Sequence, residues 1–359
     1  MTQHLSKGAP GSSLVIEHRH CADYENVAFA RDEESGLRSI IVIHSRKRGP
    51  ALGGCRMWHY ANEQEALTDA LRLAQGMTYK AALADVPCGG GKGVIIGHPR
   101  QDKTPALFEA YGRFVDSFRG QYYTGEDVGT SLEDMNYVQR TTSYVVGTLK
   151  SGGDPSPVTA TGVFAGIEAA IRQLHGPHAK LSGRRVAVQG LGQVGRALCV
   201  LLNEAGARLV VADIDPASMD QAKALFQAEV VDPDRIYEQE ADVFAPCALG
   251  GVLNQDTIPL LNSEIVAGSA NNQLLKEEDG GLLHARGILY APDYVINSGG
   301  LINVAQELAP GGYDREATMI KVRGIGSTLQ EIFRDAGREN LPPDVIANRL
   351  AEQRLAAAG

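Results

Sequence analysis

The tightest constraint on this chain is a run of ten residues, Val186-Ala187-Val188-Gln189 followed by Gly190-Leu191-Gly192-Gln193-Val194-Gly195. A short apolar run that ends in GxGxxG and opens a segment with Leu198, Leu201 and Leu202 reads as strand, tight turn and helix. The hexamer alone is common. Its place between a buried-strand pattern and an amphipathic helix narrows the fold to a parallel sheet with crossover helices. The residue types follow from what such a turn can hold. Gly190 permits the tight turn, Gly192 lets the backbone approach a pyrophosphate, and Gly195 lets the helix pack closely. The helix that opens at Gln193 and Val194 then presents its N-terminus to the anion. The next strand, 209–212 (LVVA), ends at Asp213, where a carboxylate would bind a ribose 2′-hydroxyl and repel a 2′-phosphate, so NAD is expected rather than NADP. Asp215 is a neighbour that could serve the ribose instead. The same residues would also fit a purely structural turn followed by a strand-end Asp.

At 359 residues the chain exceeds the usual size of one core, so two domains with a cleft between them are expected. From Arg185 onward, RVAVQ, RLVVAD, DVFAP, EIVAGSA and ILYAPDYVIN alternate with helical stretches, the rhythm of a Rossmann-type sheet. The first third mixes β-like runs such as 38–44 (RSIIVIH) with helical ones such as 63–75 (EQEALTDALRLAQ), which is also α/β. Residues 151–157 (SGGDPSP) break both patterns and mark a hinge. The expected fold is therefore two α/β domains. Residues 1–150 form the first of these, residues 151–329 form a dinucleotide-binding domain, and C-terminal helices 330–359 pack back on the first. The start, MTQHLSKGAPGSS, has neither an apolar core nor an Arg-rich pattern and reads as a frayed tail rather than a targeting peptide.

Composition excludes several partners. A net charge of -9 disfavours nucleic acid and anionic membrane, and no apolar run approaches the roughly 18 residues of a span. Five scattered cysteines without a CxxC pair suit a reducing cytoplasm, and nine histidines without HExxH give no support for a metal.

Residues 77–94 (MTYKAALADVPCGGGKGV) place Lys80 and Lys92 around three glycines. Gly93 follows Lys92 where a phosphate-binding P-loop needs Ser or Thr, so phosphoryl transfer is disfavoured. Two lysines brought together in a cleft would repel. One is then expected to give up its proton readily and act as a base, leaving the other charged for a substrate carboxylate. The plainer alternative is two solvated lysines beside a flexible loop. In 123–129 (YTGEDVG), Asp127 could relay protons to an amine, or the acids could belong only to a turn or helix cap.

Taken together, these segments resemble the leucine, phenylalanine and valine dehydrogenases of the glutamate dehydrogenase superfamily. The resemblance covers GPALGGCRMW, MTYK, GGGK, TGEDVGT, PSPVTATGV, AVQGLGQVG, FAPCALGG, AGSANNQL and YAPDYVINSGGLINV, most of the chain. It implies that Lys92 is the catalytic lysine, Lys80 binds the α-carboxylate, and Asp127 exchanges a proton with the amino group. It places Gly53 and Gly54 at the substrate's main-chain end, Asn271, Asn272 and Asn297 near nicotinamide and substrate, and Thr159 at the carboxamide. The implied reaction passes a hydride from Cα to NAD, a water activated by Lys92 attacks the iminium, and ammonia and a 2-oxo acid leave. Homo-oligomers are implied as well, with residues 1–150 as the substrate-binding, catalytic and oligomerisation domain.

Specificity rests on a few positions. Glutamate dehydrogenases carry a lysine where this chain has Leu52, which argues against a side-chain carboxylate. Gly125 and Leu301 resemble phenylalanine and tryptophan enzymes, whereas EDVGT and VTATGV read like leucine enzymes. An aromatic, phenylalanine-type substrate is expected, with leucine or valine as the alternative. A non-catalytic NAD-binding sensor is the reading from another class, and Lys80, Lys92 and Asp127 argue against it. Ser298, Cys88 and Gly93 depart from the family pattern without removing a catalytic group.

Overall fold

The computed structural model describes residues 4–7, 13–148 and 154–358, the first four as backbone alone. These residues fall into two compact units. One is drawn from Met1–Gly153, Val304–Tyr313 and Arg354–Gly359, the other from Asp154–Asn303 and Asp314–Gln353. Both are α/β.

The first unit is built on seven strands: β1 (His4–Lys7), β2 (Val15–Arg19), β3 (Asn26–Asp32), β4 (Leu37–Ser45), β5 (Ala51–Trp58), β6 (Gly89–Ile96) and β7 (Tyr122–Glu126), in the sheet order β1-β2-β3-β4-β6-β5-β7. The first four form an antiparallel meander, and β5, β6 and β7 run parallel to one another. Period-two alternation assigns the faces. Ile40 and Val42 of β4 join Phe29, Val94 and the Ala66, Ala70 and Ala74 stripe of helix α1 (Glu63–Leu83). Ile41 and Ile43 join Leu107, Phe108, Tyr111 and Phe114 of α2 (Pro105–Asp116) and Met135 and Val138 of α3 (Leu132–Val138). Both faces of the central strands are therefore buried. The glycine run expected beside a loop is instead strand β6, seven of whose eight residues are buried.

The N-terminal segment departs from the expected frayed tail. Residues 4–7 add an edge strand antiparallel to β2, pairing His4 with His18 through to Lys7 with Val15. An edge strand offers a row of backbone donors and acceptors that even a polar segment can satisfy. Residues 1–3 and 8–12 lie outside the described residues, as do 151–153 of the expected hinge. Of the remainder of that hinge, Asp154 and Pro155 lead into a helix, and Ser156 and Pro157 open it as α4 (Ser156–His175).

The second unit carries an all-parallel sheet of β8 (Arg185–Gln189), β9 (Arg208–Ala212), β10 (Glu229–Val230), β11 (Ala241–Pro246), β12 (Ser263–Val266) and β13 (Leu289–Tyr290), ordered β10-β9-β8-β11-β12-β13. Helices α5 (Gln193–Glu204), α6 (Pro216–Phe226), α7 (Asp279–Ala285), α8 (Asp293–Ile296) and α9 (Gly299–Ala305) follow its strands. The strand order reverses between β8 and β11, the switch point at which doubly wound sheets bind ligands.

The helices over residues 330–359 were expected on the first unit, but α10 (Arg315–Arg323), α11 (Ile325–Glu339) and α12 (Pro343–Ala356) group with the second as far as Gln353. The reason is a fit between α11 and α4. Ile325, Leu329, Ile332, Phe333 and Ala336 form one apolar face, and α4 opens a groove at Gly162 and Gly166 to receive it. A Cβ at Gly162 would lie 2.6 Å from Ile325 Cδ1, and one at Gly166 would lie 2.8 Å from Leu329 Cδ1. Only Arg354 onward groups with the first unit, where Arg354 Nη1 donates to the Ala82 and Leu83 carbonyls at the end of α1. Among the described residues no helix is long and apolar enough to cross a membrane.

Candidate active site

Lys92 sits in the middle of β6, paired with Val42 of β4, and its side chain is 6% exposed. It is not a solvated lysine. Its Nζ lies 2.7 Å from Asp127 Oδ2, which follows directly on the end of β7. The turn that carries Asp127 is closed locally. The Asp127 backbone N–H donates to Thr130 Oγ1 at 3.0 Å, and that hydroxyl donates to the Cys55 carbonyl at 2.8 Å. Gly129 adopts φ +83° against the Met57 carbonyl, a conformation and a closeness that only glycine accepts. Ser131 and Asp134 form the capping box of α3, so the cap reading does not account for Asp127.

The glycines are what allow this meeting. Side chains at Gly53 or Gly90 would overlap the Gly91 carbonyl and the Thr78 backbone of α1 respectively, and a Cβ at Gly54 would lie 2.8 Å from Asp127 Cβ. Strands β5, β6 and β7 and the last turns of α1 thus approach at backbone distance. Lys80 lies two residues beyond Thr78 in that same helix and is half-buried. Leu52 is buried beside Gly90 and Tyr123, and Gly125, also buried, pairs with Gly54. The structure thus gathers Leu52, Gly53, Gly54, Lys92, Gly125 and Asp127 on three adjoining strands.

Burial pushes the Asp127 carboxyl up, but Lys92 and Arg56 together outweigh it, and the carboxyl is held below the ordinary aspartate value. Sequence reasoning missed Arg56, whose Nε lies 3.2 Å from Asp127 Oδ2, although it stands inside the GGCRMW segment. It also missed a hydroxyl network under the site. The Tyr122 hydroxyl donates to the Gly53 carbonyl at 2.7 Å, and the Tyr111 hydroxyl lies 3.1 Å from Thr124 Oγ1, all fully buried. Burial pushes the neighbouring Cys55 thiol up to about 12, so it stays protonated and unreactive. This network explains one departure from the family pattern, because a Cβ at Gly93 would overlap the Tyr111 hydroxyl. Another departure, Ser298, is accommodated by donating to the Val295 carbonyl at 2.7 Å, and Cys88 is simply buried.

In the second unit, Gly190 has φ +97° and faces Ala248 of the loop after β11, where a Cβ would lie 2.8 Å away. Gly192 is the N-cap of α5, has no side-chain cap bond, and would point a Cβ into open space. Its first-turn N–H groups, beginning at exposed Gln193 and half-buried Val194, therefore keep their capacity for an anion. A Cβ at Gly195 would overlap the Gly190 carbonyl, so glycine sets how closely α5 packs. This cradle fits a dinucleotide pyrophosphate. Asp213 Oδ2 accepts the Leu191 N–H at 2.5 Å, which ties the acid to the glycine turn, whereas Asp215 is spent capping α6 through Ala217 and Ser218. Asn297 Nδ2 donates to Asn271 Oδ1 at 2.8 Å, and Asn272 takes φ +52° with its N–H on Asp293. Thr159, in the first turn of α4, lies beside Gly300, whose Cβ would be 3.1 Å from its hydroxyl, and Leu301 follows at 8% exposure.

The Gly93 contact makes a prediction. Gly93→Ala should destabilise the protein by about 2 kcal/mol, and Tyr111→Phe by about 1 kcal/mol. The double variant should melt above Gly93→Ala alone, because losing the hydroxyl makes room for the methyl. Thermal melts of the three proteins check it.

Residues 24–144 match the Glu/Leu/Phe/Val dehydrogenase dimerisation domain, and 153–222 with 214–311 match the Glutamate/Leucine/Phenylalanine/Valine dehydrogenase domain. The chain is 52% identical to the leucine dehydrogenase of Geobacillus stearothermophilus, over 95% of this chain and 93% of that one. It is 46% identical to the phenylalanine dehydrogenase of Bacillus thermotolerans, over 94% and 90%. The crystal structure of L-tryptophan dehydrogenase from Nostoc punctiforme superposes with a TM-score of 0.85 at 46% identity, covering 94% of this chain and 97% of that one. The chain belongs to the glutamate, leucine, phenylalanine and valine dehydrogenase family and is an NAD(P)-linked amino-acid dehydrogenase.

Proposed function

We propose that this enzyme carries out the reversible oxidative deamination of an apolar L-amino acid with NAD, preferring an aromatic side chain of the phenylalanine type and releasing a 2-oxo acid and ammonia. The observation that carries the reading is the buried Lys92–Asp127 pair at 2.7 Å, brought together where glycines let β5, β6 and β7 meet at backbone distance. Lys80 holds the α-carboxylate, with Gly53 and Gly54 at the same end. Bound nicotinamide supplies the hydride acceptor. Asp127 takes a proton from the substrate amine, and Lys92, as general base, activates the water that attacks the iminium carbon. Lys92 keeps the proton of that water, and Asp127 returns the amine proton to nitrogen so that ammonia leaves as the 2-oxo acid forms. Thr159, Asn271, Asn272 and Asn297 orient the nicotinamide and substrate. Gly190, Gly192, Gln193, Val194 and Gly195 cradle the pyrophosphate. The enzyme works as a homo-oligomer, and five free cysteines suit a reducing cytoplasm.

The aromatic preference rests on Gly125 and Leu301. A Cβ at Gly125 would come within 3.2 Å of the Val146 carbonyl, so a methyl there would press on that carbonyl and narrow the site beside Gly54. A second reading, a leucine or valine substrate, is favoured by the 50% and higher identity to leucine dehydrogenases of Bacillus subtilis and Geobacillus stearothermophilus. Steady-state NADH formation from phenylalanine, tryptophan, tyrosine, leucine, valine and glutamate separates the two. Phenylalanine or another aromatic should lead, and Gly125→Ala should turn the phenylalanine-to-leucine ratio of kcat/KM toward leucine by roughly tenfold or more. A wild-type lead for leucine or valine, with no effect of the methyl, would assign the second reading.

The coenzyme preference is tested separately. Asp213 faces the position of a 2′-phosphate with a negative charge, so NAD should be favoured over NADP by roughly a hundredfold in kcat/KM. Equal use of the two would contradict that role for Asp213.

A further inference from the structure

The carboxylate of Asp127 meets a second cation that the proposed chemistry does not yet use. Arg56 projects from β5 with Nε 3.2 Å from Asp127 Oδ2, the same oxygen that takes Lys92 Nζ. Its Nη1 lies 2.9 Å from Asp69 Oδ2 on α1, and the Tyr60 hydroxyl donates to that oxygen at 2.7 Å. Arg72 lies 3.6 Å from the other Asp69 oxygen. The side chains of Arg56 and Asp69 are each 17% exposed. A guanidinium is thus clamped between two carboxylates, one belonging to the site and one anchoring it from the helix, an arrangement that suits the planar fork of arginine and not the single point charge of lysine.

The charge balance of the reaction gives Arg56 its purpose. In the resting pair, Asp127 is compensated by Lys92. When Lys92 gives up its proton, a buried carboxylate with no other cation would take that proton back or become an uncompensated buried charge, which is costly. The other groups around it do not help. Cys55 on β5 and Tyr122 on β7 are neutral, Glu126 on β7 repels Asp127, and Asp134 on α3 is already paired with Lys103 at 2.5 Å. Arg56 is the second cation bonded to Asp127 Oδ2, and a guanidinium does not deprotonate in a protein.

We propose that Arg56, anchored by Asp69, is a positioning residue that holds the Asp127 carboxylate on Lys92 and keeps it an anion after Lys92 has given up its proton, until the substrate amine delivers one to Asp127. This rests on the catalytic reading of Lys92 and Asp127 given above. The pull of Arg56 is one of the causes that hold the Asp127 carboxyl low. Its sign follows directly: a carboxyl held low stays ionised as the medium is acidified, and removing the cation lets it protonate at higher pH.

The experiment is the pH dependence of kcat and kcat/KM for Arg56→Gln, Arg56→Lys and Asp69→Asn, with the best amino acid from the panel, alongside thermal melts and Lys92→Ala. Arg56→Gln should lower kcat by roughly tenfold to a hundredfold with a smaller change in KM, and the acid limb of kcat/KM should move to higher pH. Arg56→Lys should recover part of kcat and bring the limb back toward wild type. Asp69→Asn, which keeps the cation and loosens its anchor, should lower kcat less and carries the test if Arg56→Gln does not fold. A folded Arg56→Gln with wild-type kcat and an unmoved acid limb overturns the proposal, as does equal loss in Arg56→Gln and Arg56→Lys with no movement of the limb. If Lys92→Ala keeps wild-type activity, the catalytic reading itself fails, a result distinct from any outcome at Arg56.

Discussion

A lysine and an aspartate can share one proton in a buried position only if the backbone around them is rigid and polar enough to offset the lost hydration of both charges. In this enzyme that constraint is met at the 2.7 Å contact between Lys92 and Asp127, and much of the first unit serves it. Strand β6 must lie against β5 and α1 at distances no side chain permits, which is why Gly53 and Gly90 stand where they do, and Gly91 lets it meet the Val42 carbonyl of β4. Tyr122 ties β7 to the Gly53 carbonyl, Thr130 ties the Asp127 turn to Cys55, and Arg56 and Asp69 tie the same carboxylate to α1. The ion pair is therefore the end point of packing, and it is held from three elements rather than one.

The second unit solves a different problem with the same residue type. Its glycine turn leaves the first N–H groups of α5 without a side-chain cap and opens space at Gly192, so an anion meets aligned donors rather than a wall. Asp213, bonded to the Leu191 N–H, sets a carboxylate directly against that glycine turn. The loop after β11 supplies Ala248 against Gly190, the closeness expected where the strand order of a parallel sheet reverses.

Much of this was legible in the sequence because it depends on local pattern. The strand, glycine turn and helix at 186–202, the alternation of the second unit and the ordered family segments all speak through neighbouring residues. Three things did not. The GGGK segment reads as a loop by composition, yet becomes a central strand because α1 offers it a stripe of small side chains. The C-terminal helices attach to the second unit because of two glycines in α4 that lie some 160 residues earlier in the chain, as in Gly162 against Ile325. Arg56 and Tyr111 gain their roles only from contacts across the sheet, Arg56 with an aspartate 71 residues away, and no spacing rule marks either one.

The central claim is that the buried pair on β6 and β7 performs amino-acid dehydrogenation. The most direct measurement uses L-phenylalanine deuterated at Cα, with NAD, and asks by mass spectrometry whether the label arrives in NADH, in wild type and in Asp127→Asn. The account predicts label in the NADH formed by wild type, 2-oxo acid and ammonia in equal amounts, and turnover lowered by roughly a hundredfold or more in Asp127→Asn. NADH formation at the wild-type rate in Asp127→Asn, or NADH without the label, would contradict it.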